Sequence, residues 1–364
     1  MNKLSASILV TFFITVSFIT VFSSVLASSE LVEDSWNTKR PMSQARYALG
    51  VIAAADKIYA IGGVSADGYE VSTNECYDSK TDTWTTLTSM STPMSYFAIA
   101  TYEGKIYCIR AGDVTMVYDI ITDSWSTKAS SPFLSAGMPI TAQVMDGKIF
   151  VIDAQNLKMC QYDPVTDSWI EKASLPEQQF VHYVGQGTSA VVDNKIFVRC
   201  HIIQHHYAWK KDIDLIYNPK TDTWSEKGSY PDNHFAGYHN VAGVTIGCFA
   251  PQRIWIFRPD STFVYESVNN AWSTTKAMPT ERQGFGVAVV DDVLYVIGGY
   301  TDLSFDLRSG PKEIVSVNEQ YVPIGYNSLG YQTPRSFLTG FVVAIAIVLT
   351  ICVIVTLVFP LLYI

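Results

Sequence analysis

The histidines of this chain are concentrated in one short part of the sequence. All six lie between residues 182 and 239, among several aromatic residues. Neutral imidazole binds Zn²⁺ and Cu²⁺, and aromatic rings with nearby polar groups bind sugars and peptides. The histidines match no recognised metal-ligand spacing, so a metal site and a set of ordinary polar loop residues both stay open. The histidines are His182, His201, His205, His206, His234 and His239, and their aromatic neighbours are Tyr183, Tyr207, Trp209, Phe235 and Tyr238.

Composition excludes several other classes of function. The chain has 364 residues, a net charge of −9 and only 16% charged residues, and it contains no basic run. Nucleic-acid binding is therefore not expected, because phosphates require clustered Lys and Arg. The sequence also lacks a P-loop and a glycine-rich dinucleotide fingerprint. No catalytic set stands out, and no cofactor is expected.

Both ends of the sequence are strongly apolar. Residues 1–27 carry one early cation, Lys3, then an apolar run and small residues before Ser28, which is typical of a signal peptide or an uncleaved signal anchor. Residues 337–359 contain no charge and are long enough to span a bilayer as a helix. A lipid-exchanged tail is the alternative at this end. We therefore predict an extracytoplasmic domain held at the cell membrane by a single C-terminal helix.

The elements that would position the histidines come from an internal repeat. An eight-residue block with Tyr and Trp seven positions apart occurs five times, as YDSKTDTW, YDIITDSW, YDPVTDSW, YNPKTDTW and YESVNNAW. A second block, such as DKIYAIGG or DVLYVIGG, precedes each copy and has the pattern of a tight turn that leads into a buried strand. A third apolar run precedes that block, and a short strand follows each Trp. The repeating unit is therefore four short strands.

These repeats resemble those of the kelch family. Paired glycines at Gly62-Gly63 and Gly298-Gly299, the Tyr to Trp spacing and a period near 50 residues carry the resemblance, which covers about residues 31–326. It implies an all-β fold, a six-bladed β-propeller. The segment of residues 35–42 has the form of a fourth strand without a blade, and the last unit lacks its fourth strand. We expect this N-terminal strand to close the last blade, with residues 327–336 as a linker to the transmembrane helix.

Candidate site residues follow from this fold. The second-to-third-strand connections are long at residues 64–71, 200–212 and 300–313, and kelch propellers bind partners on the face where these loops emerge. We predict ligand contacts from His205, His206, Trp209, His234 and Tyr238. Arg46 and Arg282 resemble the arginines that line the channel mouth in kelch propellers that bind acidic peptides. A structural ion pair to a neighbouring blade is the alternative for both arginines.

The most economical function is a membrane-anchored kelch module at the cell surface that binds an unknown protein or glycan. An extracytoplasmic sugar epimerase or mutarotase is one alternative, because an aromatic-rich cleft suits carbohydrate. A metal-dependent oxidase is another, because Tyr and His ligands on a kelch scaffold resemble the radical copper oxidases. Those enzymes are seven-bladed, and their ligand motifs do not align with this sequence. The six cysteines show no metal or disulfide spacing, and we expect most to be buried as small apolar residues.

Overall fold

The computed structural model describes residues 31–133, 140–176, 183–204, 209–227, 241–301 and 313–326. This part of the chain is all-β, and its main strands form six four-stranded antiparallel sheets. The sheets are the predicted blades. The strands in chain order are β1 Ser35–Lys39, β2 Arg46–Tyr47, β3 Gly50–Ala54, β4 Lys57–Ile61, β5 Val64–Ser65, β6 Asn74–Asp78, β7 Thr83–Leu87, β8 Ala98–Tyr102, β9 Lys105–Ile109, β10 Val114–Asp119, β11 Ser124–Ser130, β12 Thr141–Met145, β13 Lys148–Asp153, β14 Lys158–Asp163, β15 Ser168–Glu171, β16 Tyr183–Val192, β17 Lys195–Gln204, β18 Trp209–Asn218, β19 Thr223–Glu226, β20 Val241–Thr245, β21 Arg253–Phe257, β22 Thr262–Glu266, β23 Ala271–Thr275, β24 Gly286–Val290, β25 Val293–Ile297 and β26 Asn318–Val322.

Each blade runs outward from the centre of the ring. Blade one has the order β3-β4-β6-β7, and blades two to five follow as β8 to β11, β12 to β15, β16 to β19 and β20 to β23. The first strands of successive blades contact one another around the ring, including β24 with β3. The second and third strands are buried on both faces, while the fourth strands are largely exposed. The core therefore lies between neighbouring blades, as a radial array requires.

The N-terminal strand closes the ring as predicted. Blade six has the order β24-β25-β26-β1, so its outer strand comes from the start of the chain. Trp36 stands opposite Tyr321 in the β1 and β26 pair, as Trp84 stands opposite Tyr77 in blade one. This arrangement covers the edge of β26 and ties the first and last described strands of the propeller together.

The repeated Tyr and Trp block is a clamp between blades. In blade one, Asp82 accepts hydrogen bonds from the Tyr77 hydroxyl and from the backbone N–H of Arg40, both at 2.8 Å. The indole of Trp84 donates to the carbonyl of the same residue, Arg40, at 2.8 Å. The backbone N–H and the carbonyl of Arg40, the residue after β1, are thus both hydrogen-bonded to blade one. The same clamp holds Thr88 through Asp123 and Trp125, Ala129 through Asp167 and Trp169, and Ala173 through Asp222 and Trp224.

The aspartate of this clamp also has a special backbone. Asp82 has a φ of 54°, and Asp123, Asp167 and Asp222 have values within a few degrees of it. Asp and Asn adopt this left-handed region more readily than other non-glycine residues. The turn therefore selects Asp or Asn for its conformation, and the carboxylate then reaches the neighbouring blade. This explains why the position stays Asp or Asn in all five copies of the block.

Blade four corrects one sequence prediction. The predicted long loop at residues 200–212 is mostly a continuation of two strands, because β17 extends to Gln204 and β18 begins at Trp209. These strands have 10 residues each, whereas β4 and β6 of blade one have 5. The ladder stays in register out to the pair of Gln204 and Trp209. Blade four therefore carries an extended β-hairpin, which we call the blade-four arm.

The cysteines follow the expectation for buried small residues in four of the described cases. Cys76, Cys108, Cys160 and Cys200 are buried, and burial raises the pKa of the Cys160 thiol to about 11. Cys248 is exposed. None of these five cysteines forms a disulfide with another described residue.

The predicted signal segment, residues 1–27, and the predicted membrane helix, residues 337–359, lie outside the described residues, as does the linker 327–336. The described ranges contain no helix with the length and hydrophobicity that a membrane crossing requires.

Candidate functional site

The propeller has two faces, which the alternating strand directions define. The second-to-third-strand connections and the connections between blades emerge on one face, which we call the long-loop face. The first-to-second and third-to-fourth turns emerge on the opposite face. Strand β1 begins on that opposite face and β26 ends there, so we call it the terminus face.

A cavity of about 440 Å³ occupies the centre of the ring. Most first strands contribute their initial residues to its wall, so the cavity lies in the half of the channel nearer the long-loop face. Its described lining residues are all uncharged. Blades one, two and six supply an apolar wall that includes Leu49, Ile52, Phe97, Phe285 and Val287.

The opposite wall of the cavity is polar. Gln143 donates a 2.9 Å hydrogen bond to the Ser189 carbonyl, and the hydroxyls of Thr141 and Ser189 are 2.6 Å apart. The Thr188 hydroxyl accepts from the backbone N–H of Ala242 at 2.9 Å. These bonds join blades three, four and five around the channel. The cavity thus offers neutral hydrogen-bonding groups on one side and apolar contact on the other.

Three tyrosines lie beside the channel mouth. The Tyr47 ring packs edge-on against Tyr96 and Tyr300, with centroids 6.3 Å and 5.3 Å away. These residues belong to blades one, two and six, which makes the cluster a junction of three blades. Burial raises the pKa of Tyr96, and the neighbouring Tyr47 and Tyr300 raise it further. The Tyr96 phenol therefore stays protonated at neutral pH and can act as a hydrogen-bond donor.

The loop of blade one carries a polar group on the long-loop face. Glu70 accepts hydrogen bonds from the backbone N–H and the hydroxyl of Ser95, and both its oxygens receive Arg110 Nη1 at 3.0 and 3.1 Å. Arg110 also pairs with Asp113. Next to this network, Tyr69 is 74% exposed. An exposed aromatic beside a fixed charged group is typical of a protein-contact surface.

Arg46 is fully buried beneath the loops. Its guanidinium pairs with Glu75 at 2.6 Å and donates to the carbonyls of Ala60, Gly62 and Thr73. Burial lowers the pKa of Arg46, and Glu75 opposes that effect.

Arg282 has the same environment in blade six. It pairs with Glu319 and donates to the carbonyls of Thr280, Val296 and Gly298. Both arginines therefore form structural ion pairs. Their partners lie in the same blade as the arginine, whereas the sequence analysis considered a partner in a neighbouring blade. Neither guanidinium has exposed surface for a ligand.

A repeat comparison could have found these ion pairs. Glu75 and Glu319 stand two positions before Tyr77 and Tyr321, in the two blades that carry the arginines. The equivalent positions elsewhere are Met116, Cys160, Leu215 and Phe263, and the buried arginine pair of blade four, Arg199 with Asp214, uses different positions.

The other predicted site residues remain predictions. Trp209 begins β18 opposite Gln204, which places it on the blade-four arm. His205, His206, His234 and Tyr238 lie outside the described residues. Among residues that the structure describes, no group of three or more His, Cys, Asp or Glu side chains is arranged to hold a metal ion.

Comparison with known proteins agrees with the repeat pattern. Residues 45–91 and 281–321 match the family model of the kelch motif. The chain therefore contains kelch motifs. These two matches are blades one and six, which retain the paired glycines. At Gly63 and Gly299 the φ values are 99° and 104°, and an added Cβ would lie 2.8 Å from the Tyr47 carbonyl oxygen and 2.5 Å from the Gln283 carbonyl oxygen.

Individual relatives cover part of this chain. Kelch-like protein 38 of Danio rerio is 26% identical over 218 residues, which are 57% of this chain and 36% of that protein. Kelch repeat and BTB domain-containing protein 8 of Xenopus tropicalis is 33% identical over 93 residues, 25% of this chain and 15% of that protein. The chain thus spans about a third or less of the length of these relatives.

A solved structure supports the architecture. The structure titled "Structure of YjhT" superposes with a TM-score of 0.57 over 77% of this chain and 95% of that chain, at 13% identity. At this identity the match shows a shared fold.

Proposed function

We propose that this kelch propeller is a protein-binding module of the cell surface that holds its partner on the long-loop face. Kelch propellers are commonly protein-interaction modules, and the curated relatives share the repeat. The cell-surface location rests on the apolar segments 1–27 and 337–359 of the sequence.

One observation carries the choice of a protein partner. The blade-four arm extends two strands to 10 residues, about 16 Å beyond the length of a five-residue strand. Blade one lies diametrically across the six-membered ring and presents the exposed Tyr69 on the same face. A ligand that contacts both elements has to span the channel mouth, which a protein surface does and a small molecule does not.

Charge and chemistry make the surface selective. Glu70 and Asp113 hold Arg110, so its side chain is fixed in orientation. On the arm, Trp209 is followed by Lys210 and Lys211. We expect an aromatic residue and two cations in this stretch of sequence to suit a partner with apolar and acidic residues on its surface.

Photocrosslinking tests the choice of face. Full-length protein on intact cells carries p-benzoylphenylalanine in place of Tyr69, and a matched variant carries it in place of Val268, which is exposed on the terminus face. We expect protein adducts from position 69 and none from position 268. Equal adduct yields from both positions, or adducts from position 268 alone, would overturn the proposal.

The histidines provide a second test and address glycan binding. The double variant His205→Gln and His206→Gln should weaken binding without lowering the melting temperature. If these imidazoles take part, binding should weaken between about pH 7 and 5.5 as they gain charge, or strengthen for an acidic partner. A glycan array probed with the full-length protein distinguishes a sugar ligand. If the array detects selective glycan binding and the crosslinker yields no protein adduct, the polar wall of the cavity becomes the favoured site.

A further inference from the structure

The exposed large apolar side chains of the propeller are not distributed evenly. Ile121, Val165 and Val268 occupy the same position in the third-to-fourth-strand turns of blades two, three and five. Their exposed fractions are 89%, 73% and 93%. Ile246, in the first-to-second turn of blade five, is also exposed. All four residues lie on the terminus face.

The repeat explains why these side chains are free to vary. The turn position is Lys80 in blade one and Lys220 in blade four, so neither the clamp nor the turn conformation requires an apolar residue there. The clamp uses the neighbouring Asp123 and Asp167. Folding therefore does not require the apolar residues at these three turn tips, which all lie on the terminus face.

The course of the chain indicates a role for these residues. After β26, the segment up to Tyr326 stays on the terminus face, where Tyr326 stacks on Phe249 with centroids 5.8 Å apart and the Ile324 carbonyl accepts from Arg253 at 2.7 Å. Strand β1 begins on this same face. The 10 residues 327–336 can extend at most about 36 Å before the apolar stretch 337–359 begins. A membrane anchor at that stretch keeps the terminus face close to the bilayer.

We propose that the terminus face rests on the lipid surface, with the apolar turn tips in the interfacial layer, and that the long-loop face points away from the membrane. This inference rests on the proposed membrane anchor. The carboxylates of these turns are paired with lysines, as Asp119 is with Lys105 and Asp163 with Lys148, so contact with this face does not require an anionic lipid. The orientation leaves the blade-four arm and Tyr69 accessible to a partner from outside.

Depth-dependent fluorescence quenching tests the orientation with the full-length chain in phosphatidylcholine vesicles that contain doxyl-labelled lipid. Cys248 is a native exposed thiol on the terminus face and takes the dye directly in a Cys352→Ala background. The comparison site is Tyr69→Cys in the same background with Cys248→Ser. We expect quenching at position 248 to exceed that at position 69 several-fold. Equal quenching overturns the proposal.

The turn tips have their own variant. Replacement of Ile121, Val165 and Val268 by Ser should reduce quenching of the dye at Cys248 to less than half. Ile170→Ser is the matched control, since Ile170 is exposed on the outer strand of blade three. Unchanged quenching in the triple variant would also overturn the proposal, and would indicate that another copy or another protein covers this face.

Carbonate extraction separates this inference from the proposed anchor. Protein that stays in the membrane at alkaline pH but shows equal quenching at positions 248 and 69 retains the anchor and loses the orientation. Protein that carbonate extracts has no membrane span, and the proposed location fails instead.

Discussion

The phenol of Tyr321 donates a 2.9 Å hydrogen bond to Asp34, a residue 287 positions earlier in the chain. In every other blade the matching Tyr and its Asp or Asn acceptor are 5 positions apart, as with Tyr118 and Asp123. The closing blade therefore reproduces the local turn contact across a break in the chain.

This closure predicts a stability effect that covers the whole ring. Trp36 packs on Tyr321 and Phe257, and its indole donates to the Lys276 carbonyl. Trp36→Ala should lower the free energy of unfolding by about 2–3 kcal/mol, less than a fully buried tryptophan because this one is half-buried. Urea unfolding measures the change. Thr38→Ala, on an exposed position of the same strand, should alter stability by less than about 0.5 kcal/mol. Equal effects of the two variants would contradict the closure.

A second prediction concerns Asp292, which is fully buried between blades five and six. Its carboxylate accepts four backbone N–H bonds, from Ile246, Cys248, Phe249 and Ala250. Asp292→Asn should destabilise the protein by about 2–3 kcal/mol, because an amide cannot accept on both sides and leaves buried donors unpaired. Hydrogen exchange should accelerate at residues 246–250. Asp291→Asn, on the exposed neighbour, serves as control and should change neither measurement.

The buried arginines lead to a third prediction. Arg282→Met should lower stability by roughly 3–5 kcal/mol, because Glu319 then remains buried without its partner. The double variant with Glu319→Leu should recover much of the loss. Arg110→Met removes an ion pair nearer the surface and should cost about 1 kcal/mol or less. A stable Arg282→Met protein with impaired partner binding would instead assign this arginine to recognition.

The fourth prediction is a loss of stability in acid. Lys105 and Lys148 hold the pKa of Asp119 and of Asp163 at about 2, below the ordinary value of 3.8. A carboxyl group with a lowered folded pKa stabilises the fold above its unfolded pKa, and this contribution is lost as the pH falls towards the folded value. The melting temperature should therefore decline between about pH 4 and 2. High salt should reduce the contribution of these exposed pairs, and Lys148→Met should raise the pKa of Asp163 as measured by NMR.

Topology gives a fifth prediction. Protease added to intact cells should release or degrade the propeller, because the proposed anchor places it outside. Protease treatment of detergent-lysed cells is the control that the protease can cleave the protein. Complete protection in intact cells followed by digestion after lysis would place the propeller on the cytoplasmic side and exclude the proposed location.

The internal repeat made the fold predictable, whereas the candidate site could be predicted only in part. The Tyr to Trp spacing predicted the blades, and the unmatched strand at residues 35–42 predicted the closure of the ring. Both predictions rest on comparison with a local pattern that recurs along the sequence. The blade-four arm was predicted as a loop because sequence length shows an insertion but not whether its two sides pair. The sequence allowed two roles for Arg46 and Arg282, ligand binding and a structural ion pair. Sequence alone does not show whether an arginine near a channel faces solvent or a buried Glu.

Strand β1 has a consequence for the synthesis of the protein. It emerges from the ribosome before the other described strands, and its pairing partner β26 is the last of them, so it waits unpaired while about 280 residues are translated. An unpaired strand is a template for aggregation, and polar or charged side chains protect it. The sequence SWNTK contains a single apolar residue, Trp36. The strand that completes the ring is thus composed to remain soluble until the rest of the chain arrives.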